Sequence, residues 1–530
     1  MGATALACPV SAQAPGPVGG RGEIFAGSEL ETYLRDLQLV GAVPLYPWSV
    51  RSFSPGELDR LLPPDSVVHP WAQRYNLASA PARGLTFEVI RPAAGVRLNS
   101  GFPYGSNDGP IWAGRGLTLD LQMGFAARYG AVSLTVAPQV FWAQNASFDL
   151  MPNDQTGRLT YADGLFPDGI DRPQRFGSGG YAVLDPGQSS LRLDAGPVTV
   201  RISTANQYWG PATEYPMVLG NNAPGFPHGF IGTSHPIDLW LIRVHGRLVY
   251  GRLSQSAYSV ETEGGGYRFM AGGVGVATVR GVPGLEIGAS RFSHSPWPGL
   301  SHITLDHFLI PLRSQQAANF AGTFQDNQIA SAFMRWVFPR SGVEVYAEYG
   351  REDYNLNLRD FVQEPDHDGG HTIGVRKALR RRGQSFLVLR TELQNTQIGI
   401  LALGRPQTPF YIHSSPVRQG HTERGQILGS EAGLGGAGAT VALDAYRPDG
   451  RWTVWWSRML RADQANYTLG GVPGPRALDV LHTLGVERLV FKGRYDVVAR
   501  VAAVYELNRY FREDAFNLNA AFAIRANVTR

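Results

Sequence analysis

The feature that most limits the fold of this chain is an alternation of apolar and polar side chains that recurs from about residue 85 onward. One segment places apolar side chains at every second position, namely Leu117, Leu119, Leu121, Met123 and Phe125. A later segment does the same with Phe516, Leu518, Ala520 and Phe522. A period of two is that of a β-strand with one apolar and one polar face. The chain is therefore predicted to be all-β over most of its length.

Two all-β architectures fit this alternation, a soluble sandwich with one wet face on each sheet and a transmembrane antiparallel β-barrel. The segments are longer than the ~5–6 residues of ordinary strands, and aromatic residues gather at their ends, as at Trp336 and Phe338. The polar faces carry Arg, Glu and Asp, which suit a water-filled or salt-bridged lumen. These features favour the barrel. No run approaches the ~20 apolar residues of a spanning helix, which excludes an α-helical membrane protein.

Length and charge set further limits. About 446 residues follow residue 84, and a hairpin with two ~10-residue strands, a short turn and a long loop needs about 50. The barrel is therefore predicted to have about 18 strands, with 16 as the alternative. The formal net charge is only +4 and the basic residues are spread along the chain, so nucleic acid is not an expected partner. The single cysteine, Cys8, excludes an internal disulfide framework.

The first 84 residues differ in pattern from the rest. Residues 1–14 end in Ala12-Gln-Ala14, the small-x-small form of a cleavage site. They are predicted to be a truncated signal peptide, with a plain flexible N-terminus as the alternative. Residues 15–84 are predicted to form a small helical region. Such a short piece cannot bury a sizeable core alone, so it is expected to dock on the barrel of residues 85–530.

Two helices are predicted within this region. The first follows Ser28 and ends near Gly41, and its apolar side chains recur at helical spacing, Leu30, Tyr33, Leu34 and Leu37. The second begins with a capping box in which Ser54 is the N-cap, Pro55 is the first helical residue and Glu57 is the third.

The stretch from Asn206 to Pro227 is unusual for a loop. It combines aromatic residues, prolines, glycines and the adjacent Asn221 and Asn222 with almost no formal charge. So many helix breakers exclude a regular helix, and a surface linker does not normally carry so many large rings. The stretch is therefore expected either to be wedged inside the barrel or to present flat apolar faces and amides to a ligand.

Three stretches resemble the capsule assembly Wzi family of Gram-negative outer-membrane proteins. They are Tyr208-Trp-Gly-Pro with Asn221-Asn-Ala-Pro-Gly-Phe-Pro, the block from Tyr411 to Gly435, and Tyr346-Ala-Glu-Tyr-Gly-Arg-Glu-Asp. The resemblance implies a monomeric outer-membrane barrel with a small periplasmic helical bundle and extracellular loops that close the pore. It further implies a non-catalytic, lectin-like protein that attaches or organises capsular or extracellular polysaccharide at the cell surface.

The residues of the two loop stretches allow such a role. Aromatic faces pack against sugar rings, and amides, carboxylates and guanidinium groups bond sugar hydroxyls or uronate carboxylates. The candidate polysaccharide-binding residues are Tyr208, Trp209, Asn221, Asn222, Phe226, Tyr411, His413, Arg418 and Arg424. The alternative is that both loops plug the barrel mouth, with their side chains satisfied internally. Outer-membrane lipids, lipopolysaccharide and the polysaccharide export machinery are further expected partners.

Other functions have weaker support in the sequence. No nucleophile elbow, phosphate loop or zinc-helix motif is present, so no catalytic residue, metal or cofactor is expected. The acidic stretch Glu364–His371 lacks defined ligand spacing and is interpreted as a solvated loop rather than a cation site. A diffusion porin is the alternative function, because the barrel alone would suffice for it. An outer-membrane hydrolase is the third hypothesis.

Overall fold

The computed structural model describes residues 22–62, 71, 74–75, 84–260, 265–312, 326–352, 362–382, 384–398, 407–413, 417–461 and 478–527. Within these ranges, 18 antiparallel strands close into one barrel, which confirms the predicted fold and the larger of the two strand numbers. Residues 1–14, predicted to be a truncated signal peptide, lie outside the described residues.

The described strands comprise the barrel wall and four short strands apart from it. In chain order they are β1 (Val50–Arg51), β2 (Thr86–Asn99), β3 (Gly116–Tyr129), β4 (Val132–Val136), β5 (Gln139–Ala143), β6 (Tyr181–Asp185), β7 (Ser190–Ala195), β8 (Val198–Ser203), β9 (Tyr208–Trp209), β10 (His228–Thr233), β11 (Ile237–Leu239), β12 (Ile242–Ser254), β13 (Tyr267–Val279), β14 (Leu285–Pro296), β15 (Asn327–Phe338), β16 (Val343–Glu352), β17 (Gly369–Arg382), β18 (Ser385–Asn395), β19 (Thr422–Glu423), β20 (Gln426–Ile427), β21 (Ala437–Arg447), β22 (Gly450–Arg461), β23 (Asp479–Lys492), β24 (Tyr495–Arg509) and β25 (Glu513–Ala526). β1 pairs with β9 and β19 with β20, outside the wall. Three wall positions are each filled by two strands in line: β4 with β5, β6 with β7, and β10 with β11.

The barrel closes because its first and last wall strands pair. β2 bonds to β25, with Ala93 opposite Arg525 and Asn99 opposite Asn519, and on its other side it bonds to β3. Closure leaves no sheet edge with unpaired backbone groups, which is the condition for crossing a bilayer with strands.

The wall is inside out compared with that of a soluble protein. Along β3, Leu117, Leu119 and Met123 are 42–49% exposed, whereas Thr118 and Gln122 between them are buried. The exposed apolar face meets lipid and the polar face lines the lumen. Buried guanidinium–carboxylate pairs occupy that lumen, as the charged polar faces of the sequence indicated.

Helices are few and short. They are α1 (Glu29–Leu39), α2 (Pro55–Leu61), α3 (Leu305–Leu309) and the 3-10 segments Gly157–Tyr161, Leu300–His302, Ile310–Leu312 and Glu431–Gly433. Both predicted N-terminal helices are confirmed with their caps, since the Ser28 hydroxyl accepts from the Glu31 backbone N–H and Ser54 forms the capping box with Glu57. Among the helices that the structure describes, none has the length and apolar character needed to cross a membrane.

The N-terminal helices lie in the lumen near the end with short turns, which is the periplasmic end in barrels of this kind. Arg35 of α1 donates from Nε to Glu344 Oε1 at 2.9 Å, and Asp36 Oδ1 lies 2.8 Å from Arg376 Nη2. Buried apolar side chains of α1 and α2 share one core with residues of the wall. The helical region therefore docks inside the barrel and fills this end of it.

Candidate functional site

The aromatic loop between β8 and β10 folds back into the lumen. Its strand β9 pairs with β1, with Trp209 opposite Val50 and Tyr208 opposite Arg51. The Arg51 guanidinium lies 4.1 Å from the centre of the Tyr208 ring. We call the N-terminal region (residues 22–62) the lower layer, this loop (residues 204–227) the upper layer, and the two together the plug. The layers enter from opposite ends of the barrel and meet inside it.

A carboxylate of the wall holds the upper layer in place. The Glu392 side chain, on β18, accepts backbone hydrogen bonds from Thr213, Glu214 and Tyr215 at 2.6–3.0 Å. The Tyr346 hydroxyl also donates to it. Four donors therefore converge on this one carboxyl group. The sequence did not predict this role of Glu392, because its only signal was a carboxylate on the polar face of a strand.

The second stretch of resemblance, from Tyr411 to Gly435, fastens the upper layer from another side. The Tyr411 hydroxyl donates to the Met217 carbonyl. Its ring stacks on the His421 imidazole with 5.0 Å between ring centres. His421 Nε2 in turn bonds the Val218 carbonyl. Two consecutive carbonyls of the upper layer are therefore held by one loop.

The third stretch of resemblance lies on β16 and contacts both of the others. Glu352 accepts a hydrogen bond from the Tyr411 backbone N–H at 2.7 Å and lies 2.8 Å from His413 Nδ1. Glu348 faces Gly210, where φ is +87° and an added Cβ would lie 2.4 Å from Glu348 Oε2. A side chain is therefore excluded at Gly210 both by its backbone conformation and by this carboxylate. All three stretches belong to one assembly.

The structure buries most of the predicted polysaccharide-binding residues in this assembly. The buried ones are Tyr208, Trp209, Asn221, Asn222, Phe226, Tyr411 and His413. Arg418 is exposed. The Arg424 side chain is 33% exposed and pairs with Asp185. Seven of the nine are therefore brought together as supports of the plug, and two are open to solvent. Direct contact of any of the nine with sugar stays a prediction.

A cleft of about 250 Å³ opens over the upper layer at the long-loop end of the barrel. Glu214, Tyr215 and Asn222 of the upper layer form part of its lining, together with loops 103–113 and 163–174 and the lumen side of β22 to β24. The aromatic residues that line it are Tyr104, Trp112, Tyr215, Trp455, Tyr510 and Phe511. Of the nine predicted residues, the cleft includes only Asn222.

Arg500 lines this cleft, where the Asp108 carboxylate acts on it electrostatically. Its guanidinium lies 4.5 Å from the centre of the Trp455 ring, which covers Gly485 on the strand between them. Within the described part of the chain, Arg500 makes no ion pair or side-chain hydrogen bond, and its Nε is buried without a partner. By contrast, Arg172 of the same cleft pairs with Asp163 at 2.7 Å. A guanidinium beside a flat aromatic face suits a sugar ring that carries a carboxylate or hydroxyls.

Two buried titratable groups of the second stretch make the stability of the plug depend on pH. Burial raises the pKa of the Glu423 carboxyl to about 8, and burial lowers the pKa of the His421 imidazole to about 3. The ordinary pKa values of these groups are 4.5 and 6.5. Both groups are therefore held in their neutral forms near neutral pH.

Stability is expected to fall on both sides of a maximum. The protonated Glu423 carboxyl contributes fully to the stability of the folded protein below pH 4.5, and this contribution is lost as pH rises to about 8. The neutral His421 imidazole contributes fully to the stability of the folded protein above pH 6.5, and this contribution is lost as pH falls toward about 3. The thermal unfolding midpoint in detergent, measured between about pH 3 and about pH 8, checks both contributions. Glu423→Gln should flatten the alkaline slope, whereas a Glu513→Gln control at an exposed position should keep it. An unchanged alkaline slope in Glu423→Gln would contradict a buried protonated carboxyl.

The fold and the site together define a plugged outer-membrane-type β-barrel with an aromatic-lined, charged cleft over the plug. The chain belongs to the family of the capsule assembly protein Wzi, whose family model matches residues 104–447. That range includes all three stretches that carry the resemblance, so the predicted family is confirmed.

Comparison with solved structures supports the same architecture. The chain is similar to Wzi of Escherichia coli, described as an outer membrane protein involved in group 1 capsule assembly and as a carbohydrate-binding β-barrel. The identity is 14%, the TM-score is 0.64, and the match covers 96% of this chain and 100% of that one. It is also similar to a BenF-like porin of Pseudomonas fluorescens, with 8% identity, a TM-score of 0.36 and coverage of 83% and 98%. No sequence among the curated proteins matches the chain.

Proposed function

We propose that this protein is a non-catalytic, lectin-like protein of the outer membrane that attaches or organises capsular or extracellular polysaccharide at the cell surface. Membership of a capsule assembly family supports the proposal, and so does the likeness to a barrel described as carbohydrate-binding. The observation that carries it is the cleft at the long-loop end. This end faces the cell exterior in barrels of this kind, which is where a surface polymer would meet the protein.

The cleft offers the contacts that saccharides need. Trp455 supplies a flat apolar face, and Arg500 beside it supplies donors that no described residue occupies. Asn222 and Glu431 add an amide and a carboxylate to the same lining. Arginine pairs with a uronate carboxylate through its planar fork, so the cleft is suited to an acidic polymer. Arg418 and Arg424 lie outside this lining and would contact the polymer as it extends over the loops.

The buried candidates have a different part in this proposal. The plug on which the cleft rests is shaped and held by four of them, Tyr208, Trp209, Phe226 and Tyr411. These residues act on sugar binding through the plug and not by touching the sugar. Contact with lipopolysaccharide, contact with the export machinery and a monomeric state belong to the same proposal. A diffusion porin has less support, because both layers of the plug occupy the lumen through which solutes would pass.

Loss of the Arg500 guanidinium is expected to weaken polysaccharide binding at least tenfold. Hydrogen bonds to a charged group contribute ~1.5–3 kcal/mol each, and ~1.4 kcal/mol is a factor of ten. Purified Arg500→Gln protein should show this loss in a titration with the strain's own purified polysaccharide. In cells that lack the native gene, the same variant should shed polysaccharide that the unchanged protein retains.

A matched control exists on neighbouring strands. Arg488 also lies over a tryptophan, at 5.2 Å from the Trp452 ring centre, but it does so on the lipid side of the wall, one register position from Arg500. Arg488→Gln should bind and retain polysaccharide normally. Equal losses in the two variants would show a general effect of removing an arginine. Full binding by Arg500→Gln would show that the cleft is not the polysaccharide site.

A further inference from the structure

The loop after β14 folds over the outer wall of the barrel instead of the lumen. Its described residues, 297–312, include α3 and two 3-10 segments, and we call it the outer flap. The Tyr250 hydroxyl donates to the Phe308 carbonyl at 2.8 Å, and the two rings lie 5.0 Å apart. Along β13, Arg268 points inward to the loop carbonyl of Gly420, so Phe269 points outward. Phe269 is nevertheless buried, because the outer flap covers it.

The outer flap also presents large apolar side chains to its surroundings. Leu300, Leu305 and Leu312 are 81%, 72% and 68% exposed. Exposed leucines so close together on a short segment are typical of an interaction surface rather than of a segment in water. On the outer wall of a membrane barrel the adjacent medium is the bilayer, so these side chains are expected to lie in the outer part of it.

An apolar groove runs between the outer flap and the wall. Its floor includes outward-facing Leu191, Ile202 and Gly229, and its other side is formed by Trp297, Ile303 and Phe308. The volume of about 580 Å³ lies within the ~300–1,000 Å³ typical of ligand pockets. The strands that form the floor approach long loops at this end, which places the groove at the depth of the outer leaflet.

One charged side chain lies at this groove. Arg252, on β12, stacks on Tyr267 with its guanidinium carbon 4.4 Å from the ring centre, and it lies 5.9 Å from the Trp297 ring. Among the residues that the structure describes, no carboxylate pairs with Arg252, and its buried Nε has no hydrogen-bond partner. A guanidinium without an internal partner, at the edge of an apolar groove, is suited to an anionic headgroup whose chain enters the groove.

We propose that the groove between the outer flap and β7–β13 is a lipid site that holds an acyl chain of lipopolysaccharide, with a phosphate of its lipid anchor at Arg252. A sugar polymer does not fit, because the lining offers it almost no hydrogen-bond partners. A long saturated chain does, since nearly all of the surface that the groove exposes is apolar. The site is separate from the cleft over the plug, so it stands or falls independently of the polysaccharide function.

Filling the groove tests the proposal. A Cβ added at Gly229 would meet only the Arg201 carbonyl oxygen, at an ordinary 3.6 Å, so Gly229→Phe should fold and place its ring in the groove. Gly275 provides the matched control, because it is exposed on the same outer wall outside the groove and a Cβ there meets only the His245 carbonyl, at 4.0 Å. Full-length proteins extracted in mild detergent would be compared by native mass spectrometry.

The unchanged protein and Gly275→Phe are expected to retain a bound lipopolysaccharide, and Gly229→Phe is expected to retain at least tenfold less. Arg252→Gln should lose the preference of the protein for lipid anchors that carry phosphate over dephosphorylated ones. Equal retention by Gly229→Phe and Gly275→Phe would overturn the site. Recovery of phospholipid instead of lipopolysaccharide would overturn the assignment of the ligand.

Discussion

Removal of both layers of the plug is expected to convert an almost silent barrel into a stable channel, whereas removal of either layer alone should leave it nearly silent. The reason is that the two layers occupy different depths of the lumen. The lower layer is held near the short turns by Arg35 with Glu344 and Asp36 with Arg376. The upper layer is held by Glu392 and Tyr411. Each layer by itself still crosses the path of an ion.

Single-channel recording in a planar bilayer measures this effect. The lower layer is removed by deleting residues 22–83. The upper layer is removed by replacing residues 207–226 with a short Gly-Ser linker, which can span the gap because Ser203 and His228 pair directly on neighbouring strands. A third variant replaces residues 298–312 of the outer flap and serves as the control, because that loop lies on the outer wall. This replacement should not raise conductance in the unchanged protein or in the proteins that lack one or both layers.

The recordings also separate the proposed function from the porin alternative. A plugged, polysaccharide-holding barrel predicts rare or no openings for the unchanged protein. Large, regular conductance steps from the unchanged protein would favour a porin and would contradict the plug. Conductance that appears when one layer alone is removed would show that the other layer does not close the lumen by itself.

The strands and the helix caps of this protein are predictable from local sequence. A period of two fixes which side chains face lipid and which face the lumen, and β3 follows it from Leu117 to Met123. The capping box at Ser54 needs only residues within one turn of each other. In both cases the determining contacts are close in the chain, so the pattern alone carries the information.

The plug is not predictable in this way. β1 pairs with β9 across about 160 residues, and Glu392 holds a loop that lies even farther from it in the sequence. Nothing local distinguishes Glu392 from other carboxylates on polar strand faces. The aromatic loop was correctly identified as unusual, with plugging as one of its two interpretations. Its burial depends on a partner strand from the opposite end of the barrel.

The cleft is missed for a related reason. Trp455 and Arg500 lie on strands separated by β23, and they meet only because Gly485 leaves room for the indole between them. Sequence analysis instead chose residues that carry the family resemblance, and the structure assigns most of those to the plug. Resemblance identifies the family better than it locates the surface open to a polymer.

The second large effect is expected at Arg335, which joins the lower layer to the wall. Arg335 donates to Glu344 at 2.9 Å and to Gln38 of α1 at 3.1 Å, and it also bonds Glu286. Arg335→Met should lower the free energy of unfolding by ~3–5 kcal/mol, because it removes the ion-pair partner of buried Glu286, whereas Glu344 keeps Arg35. Urea unfolding in lipid vesicles measures the change, and protease sensitivity of residues 22–62 should rise with it.

Charge balance distinguishes this mechanism from simple loss of packing. If uncompensated charge causes the effect, Arg335→Met combined with Glu286→Gln should lose clearly less than the sum of the two single variants. Arg243→Met removes an arginine from an exposed pair with Asp238 at the short-turn end and should leave unfolding unchanged. Strict additivity of the two buried substitutions would contradict the charge argument. It would mean that α1 is held in the lumen by its apolar core, and that the ion pairs only set its orientation.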